Sequence, residues 1–171
     1  MDNAHRGKRP MRRYPLILWF FVWTAAVSSA AADDRGICGA NPPKSDTVGA
    51  CSRVIASPSA SAHDRALAYV FRANATRASG NTDAALSDYG QAIELMPNFA
   101  LAYRNRGVLY LSVGETTRAI ADLDAAIKLD PRDARALYAR GLAKRKSGDQ
   151  SGGDADVAAA QKIDPAIAGK P

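Results

Sequence analysis

Pro97, Pro131 and Pro165 stand 34 residues apart, and the residues ahead of each proline repeat in type. In 100–133, Tyr103, Gly107, Tyr110, Ala119, Leu123, Ala126, Leu129 and Pro131 occupy positions 4, 8, 11, 20, 24, 27, 30 and 32 of a 34-residue unit. The unit before it, 66–99, carries Tyr69, Gly80, Ala85, Tyr89, Ala92, Leu95 and Pro97. The unit after it, 134–167, carries Leu137, Gly141, Gly148, Val157, Ala160, Ile163 and Pro165. The spacing predicts two amphipathic helices per unit. In the middle unit the first ends near Val113 and Gly114, and the second runs from about Thr116 to Leu129. Gly107 and Ala119 are small because the two helices touch there, and the proline stops the second helix. One such unit cannot bury its apolar face alone, so the chain is expected to stack units into a linear array.

This mix of small, aromatic and proline positions resembles the tetratricopeptide repeat (TPR) family. The resemblance implies an all-α fold, a right-handed TPR superhelix of three helix-turn-helix repeats at 66–99, 100–133 and 134–167, followed by a tail at 168–171.

Residues 1–32 are set apart by composition. Basic residues Arg6, Lys8, Arg9, Arg12 and Arg13 precede an apolar run at 16–27, and small residues ending at Ala32 follow. That is the layout of a secretory signal peptide, cleaved near Ala32. The apolar run is shorter than the ~20 residues a spanning helix requires, which disfavours an uncleaved anchor. Cys38 lacks the small apolar box of a lipoprotein. The expected product is a small exported bacterial protein of the periplasm or exterior, touching the membrane only through its signal.

Residues 33–65 form the preface to the repeats. Asn41, Pro42 and Pro43 break helix and predict a loop. Thr47 to Ala56 places Val48, Cys51, Val54 and Ile55 on one face, a short helix suited to capping the first repeat, and Ser61 is placed to cap the helix after it. Cys38 and Cys51 are the only cysteines. In an exported chain they predict a disulfide, which stabilises by roughly 3 kcal/mol for a loop of this size.

Charge is sorted rather than abundant. The chain has 23 basic and 17 acidic residues; residues 1–32 hold five and one of these, leaving 18 against 16. The first helices, at 66–79, 100–113 and 134–147, contain nine basic residues and no acidic one, whereas the second helices with their turns contain eleven acidic residues. In the TPR family the first helices line a concave groove, at positions 2, 5, 9, 12 and 13. Those positions are Leu67, Val70, Asn74, Arg77 and Ala78; Leu101, Arg104, Val108, Leu111 and Ser112; and Arg135, Tyr138, Leu142, Arg145 and Lys146.

Arg72, Arg106 and Arg140, all at position 7, are expected to pair within the protein. Arg77, Arg104, Arg135, Arg145 and Lys146 remain as groove cations above an apolar floor. A concave cationic surface concentrates anionic partners, and arginine pairs bidentately with carboxylates. The family's terminal-carboxylate clamp maps to Val70, Asn74, Asn105, Arg135 and Ala139. Asn74, Asn105 and Arg135 match it, and the cations expected at 70 and 139 are missing. The expected peptide-binding set is Asn74, Arg77, Arg104, Asn105, Val108, Leu111, Arg135, Tyr138, Arg145 and Lys146.

No enzymatic constellation is present, and no cofactor or metal site is expected. His63 flanks a helix start. Asp122 with Asp124, and Asp154 with Asp156, point apart at i, i+2 on a helix and are expected on solvated faces. The protein is expected to act as a monomeric, non-catalytic adaptor for an acidic protein or peptide segment, with nucleic acid excluded by export and near-neutral mature charge. The alternative is a structural protein of the envelope that stacks through its ends. Polar replacements in the third unit, Lys144 and Gln161, suit a terminal repeat. Gly152 and Gly153 are expected to loosen its second helix, and the few residues after Pro165 to leave it the least stable.

Overall fold

The computed structural model describes residues 32–40 and 45–169. Residues 1–31 and 41–44, which hold most of the expected signal segment and of the proline loop, lie outside the described residues. The chain divides into two units, Met1–Asp33 and Asp34–Pro171; the architecture is that of the second.

Residues 34–38 are helical. Seven longer helices follow: α1 (Thr47–Ala56), α2 (Ala62–Ala78), α3 (Thr82–Leu95), α4 (Ala100–Ser112), α5 (Thr116–Leu129), α6 (Ala134–Lys146) and α7 (Gln150–Ile163), then a 3-10 turn at Ile167–Gly169. They pack as hairpins, α2 on α3, α4 on α5 and α6 on α7, and each hairpin also touches the next. The turns inside the hairpins need a left-handed residue, which Gly80, Gly114 and Gly148 supply at φ 83°, 87° and 97°.

Each hairpin is closed by small residues at positions 8 and 20. A side chain on Gly107 would meet Leu123 Cγ at 2.8 Å and the Ala119 carbonyl oxygen at 3.2 Å. At the equivalent point of the third hairpin a Cβ on Gly153 would stand 2.6 Å from the Gly141 carbonyl oxygen. Gly153 is therefore required by close approach, and the helix expected to be loosened there runs from Gln150 to Ile163.

The hairpins are also tied by ion pairs. Arg72 grips Asp88 at 2.8 Å through two nitrogens. Arg106 grips Asp122 at 2.7 and 2.9 Å, and Arg140 grips Asp156 at 2.7 Å twice. This corrects the solvated placement expected for Asp122 and Asp156, which are buried. Asp124 does point the other way, accepting from Arg140 at 2.7 Å across the junction to the next hairpin.

The core runs along the array. Tyr89 and Ala92 of α3 bury against Ala102 and Leu109 of α4, and Leu123 and Ala126 of α5 against Ala136 and Ala143 of α6. At one end Ala50, Cys51 and Val54 of α1 cover Ala68 and Phe71 of α2. The Cys38 and Cys51 sulfurs lie at disulfide-bonding distance, with Cα atoms 4.7 Å apart. α2 begins a turn earlier than position 66 because Ser61 forms a capping box: its hydroxyl accepts from the Asp64 amide at 3.0 Å, and Asp64 accepts from the Ser61 amide at 3.3 Å. At the other end the 3-10 turn buries Ile167 against Ala134, Leu137 and Ala160. One apolar side chain thus seals an end expected to be uncovered.

Candidate peptide-binding groove

α2, α4 and α6 are successive neighbours, so side chains one repeat apart meet along one surface. They enclose a groove of about 370 Å³. α2 supplies Asn74 and Arg77; α4 supplies Arg104, Asn105, Val108 and Leu111; α6 supplies Arg135, Tyr138, Ala139 and Leu142. Tyr89 enters from α3, and Ile167 closes one end. The floor is apolar and open: Val108 is 37% and Leu142 38% exposed.

Eight of the ten residues expected to bind a ligand meet here: Asn74, Arg77, Arg104, Asn105, Val108, Leu111, Arg135 and Tyr138. Arg145 and Lys146 do not line the groove. Arg145 is held by Asp154 of α7 at 2.6 Å, because it ends α6 opposite the start of that helix. Lys146 extends its Nζ toward the turn at Gly114. Val70 is fully buried, and Leu67 lines a separate small cavity with Arg35, Cys38 and Phe71.

The cations of the groove are not equivalent. Arg104 Nη1 donates to Asp133 at 2.9 Å, with side chains 19% and 9% exposed. Asp133 also caps α6, accepting from the amides of Arg135 and Ala136 at 3.0 and 3.1 Å. The five-cation surface expected from charge sorting is thereby reduced: Arg104 and Arg145 spend their charge on the protein's own carboxylates. Among the described residues, Arg77 and Arg135 form no ion pair with a carboxylate, and no carboxylate lines the groove.

A polar chain runs through the groove lining. Tyr89 donates its hydroxyl to Asn74 Oδ1 at 2.5 Å. Asn105 Nδ2 donates to the same oxygen at 3.3 Å, and Arg104 Nε donates to Asn105 Oδ1 at 3.3 Å. Burial pushes the Tyr89 phenol up to about 12, although the charge and hydrogen bonding of Arg77 pull the other way. It stays protonated and remains a donor. Tyr89, Ala139, Leu142 and Ile167 line the groove outside the expected peptide-binding set. A signal for Tyr89 existed: position 24 is Leu123 and Val157 in the other units, and a core position needs no hydroxyl.

Stacked helical hairpins with small residues at their contacts and a ligand-sized groove across their first helices define a helical-repeat scaffold. The family model described as TPR repeat matches residues 73–114 and 110–148, and this stretch of the chain consists of tetratricopeptide repeats. Among solved structures it is similar to the second TPR domain of Spaghetti (RPAP3) bound to the HSP90 peptide SRMEEVD, at 25% identity and TM-score 0.57, over 58% of this chain and 92% of that one. It is similar to MamA at 25% identity and TM-score 0.61, over 73% and 71% of the two chains. The Arabidopsis OM64 TPR domain shares the fold at 23% identity and TM-score 0.60, over 61% and 87%. No curated protein matches the chain in sequence.

Proposed function

We propose that this protein is an exported TPR adaptor that binds a peptide segment bearing acidic side chains or a free C-terminus in the groove across α2, α4 and α6. It acts by contact and catalyses no reaction. The observation that carries this is the disposition of Arg77 and Arg135: two guanidiniums without a carboxylate partner among the described residues, lining a groove with an open apolar floor. A rigid scaffold orders such a site before the ligand arrives, which lowers the cost of binding. The second TPR domain of Spaghetti, similar over 58% of this chain, is described with a peptide rich in acidic residues, SRMEEVD. Cysteine sulfurs at bonding distance support an oxidising, exported setting.

An array of hexapeptides of varied acidity, in paired free-acid and C-terminal-amide forms, tests this. Retention is expected to rise with acidic content, fall with salt, and vanish in the Arg77→Glu, Arg135→Glu double variant. Lys146→Glu, outside the groove, is expected to bind as the wild type does. A double variant that holds the same peptides as the wild type rules this groove out as the site.

A further inference from the structure

We propose a second binding site, separate from the groove: a notch over Gly90, between α3 and α5, where Arg106 receives an aspartate or glutamate side chain of a partner protein. It goes beyond the groove function and uses none of the groove residues. Tyr103, Arg106 and Tyr110 stand at i, i+3 and i+7 and share one face of α4, whereas Arg104, Val108 and Leu111 line the groove from another.

The three arginines at position 7 carry the inference. Each spends Nε and Nη2 on the aspartate sixteen residues later in its own hairpin. Each turns Nη1 toward the preceding helix. Arg72 Nη1 donates to Ser52 Oγ of α1 at 2.9 Å, and Arg140 Nη1 donates to Asp124 of α5 at 2.7 Å. Arg106 Nη1 faces α3, at the place where position 25 of the first unit is Gly90 rather than aspartate. It therefore reaches no acceptor among the described residues, and the missing side chain leaves the space beside it open.

The third hairpin shows what such a place takes. Arg140 holds Asp156 and Asp124 together, so a guanidinium already paired once accepts a second carboxylate here. The Asp124 side chain is 53% exposed, which puts the position within reach of a partner. Ser52 shows that a hydroxyl also fits, but the middle hairpin adds a further cation. Arg118 of α5 stands 5.7 Å from the centre of the Tyr110 ring, and Arg106 stands 6.0 Å from the same ring. The counterparts of Arg118 in the other units are Ala84 and Gly152. Its own carboxylate contact, to Glu115, is exposed and 4.0 Å long. Two guanidiniums around one ring favour an anion over a hydroxyl. A phosphate dianion fits less well, since one free edge of Arg106 offers it few donors and Asp122 lies close behind. A carboxylate contact of this kind selects a partner and fixes its register more than it adds affinity.

Titration of the isotope-labelled full chain with aspartate capped as its N-acetyl methylamide tests this, read by NMR at the Gly90 amide and the Arg106 Nε–H. Both signals are expected to shift saturably, at about tenfold lower concentration than with capped asparagine, the size of one charge-assisted hydrogen bond. Gly90→Asp supplies the carboxylate from within the chain, as Asp124 does for Arg140, and is expected to abolish the Arg106 response. Gln91→Asp adds the same charge one residue further on and is expected to respond as the wild type does. Arg118→Ala is expected to weaken the response about threefold. Thermal unfolding reports whether each variant is intact; if Gly90→Asp does not fold, Arg118→Glu, at an exposed position, decides in its place. No saturable shift in the wild type overturns the inference. So does an undiminished response in Gly90→Asp, or in Arg118→Glu where that variant decides, and so does inorganic phosphate binding as tightly as capped aspartate. The groove is tested by the peptide array alone and stands or falls separately.

Discussion

Arg140 and Asp156 stand sixteen residues apart and meet across the α6–α7 hairpin through two contacts of 2.7 Å. Lys144 adds a third donor to the same carboxylate at 2.9 Å. Burial works to raise the Asp156 carboxyl, but hydrogen bonds from Arg140 and Lys144 and their charges outweigh it and hold the folded group below its ordinary value. A depressed carboxylate contributes stability above the unfolded value, near pH 3.9, and loses it as pH falls through the lower folded value. Asp156→Asn is therefore expected to cost about 3 kcal/mol at pH 7, as removal of one partner from a buried pair does. The gap to the wild type is expected to narrow below about pH 4. Urea unfolding of both proteins at pH 7, 5 and 3 measures it; a gap that widens in acid contradicts the assignment.

Two helical glycines are expected to respond to alanine with opposite signs. Around Gly90, in α3, a Cβ would meet only Arg106 Nη1, at 3.9 Å. Gly90→Ala should stabilise by about 1 kcal/mol through helix propensity. A Cβ on Gly141 would lie 2.8 Å from both the Gly153 carbonyl oxygen and Val157 Cγ2. Gly141→Ala should destabilise by about 2 kcal/mol through overpacking. Paired thermal melts decide both.

Cys51 stands 34 residues before Ala85, which occupies position 20, the small-residue contact of the first hairpin. Cys51 thus lies in the register where the hairpins use alanine or glycine. Reduction, or Cys51→Ser, is expected to cost roughly 3 kcal/mol. Intact mass before and after reductant reports the bond; free alkylation of both thiols in the purified, unreduced protein would show that none forms.

Arg104 and Arg135 share the groove but should separate in experiment. Arg104→Ala leaves the Asp133 carboxylate, 9% exposed, without its guanidinium, and is expected to cost about 2 kcal/mol of stability as well as binding. Arg135→Ala touches no carboxylate among the described residues and should change stability by less than about 0.5 kcal/mol. Its effect is expected in peptide affinity alone. Calorimetric unfolding beside peptide titration distinguishes them.

The 34-residue period was enough to infer hairpins closed at Gly107 and Ala119, the apolar face of Thr47 to Ala56 to infer a short helix there, and the family resemblance to expect internal pairing of Arg72, Arg106 and Arg140. Each of these depends on short separations along the chain, where helix geometry fixes who faces whom. Counting groove cations was less successful. Arg145 sits at the end of its helix, where pairing with Asp154 depends on how the turn folds back, and Arg104 reaches the last residue of its own unit, Asp133, at the cap of α6.

Periodicity by itself determined the helices and their pairing into hairpins, because apolar and small positions recur at the pitch of an α-helix and must be buried together, and the resemblance to the TPR family supplied the scaffold. Tertiary structure alone decided which charges the groove keeps and which way its amides face. Those outcomes are set by contacts where one hairpin meets the next, such as Arg104 with Asp133 at the cap of α6 and Asn105 with Asn74, where angstroms between helices rather than residues along the chain determine which groups meet.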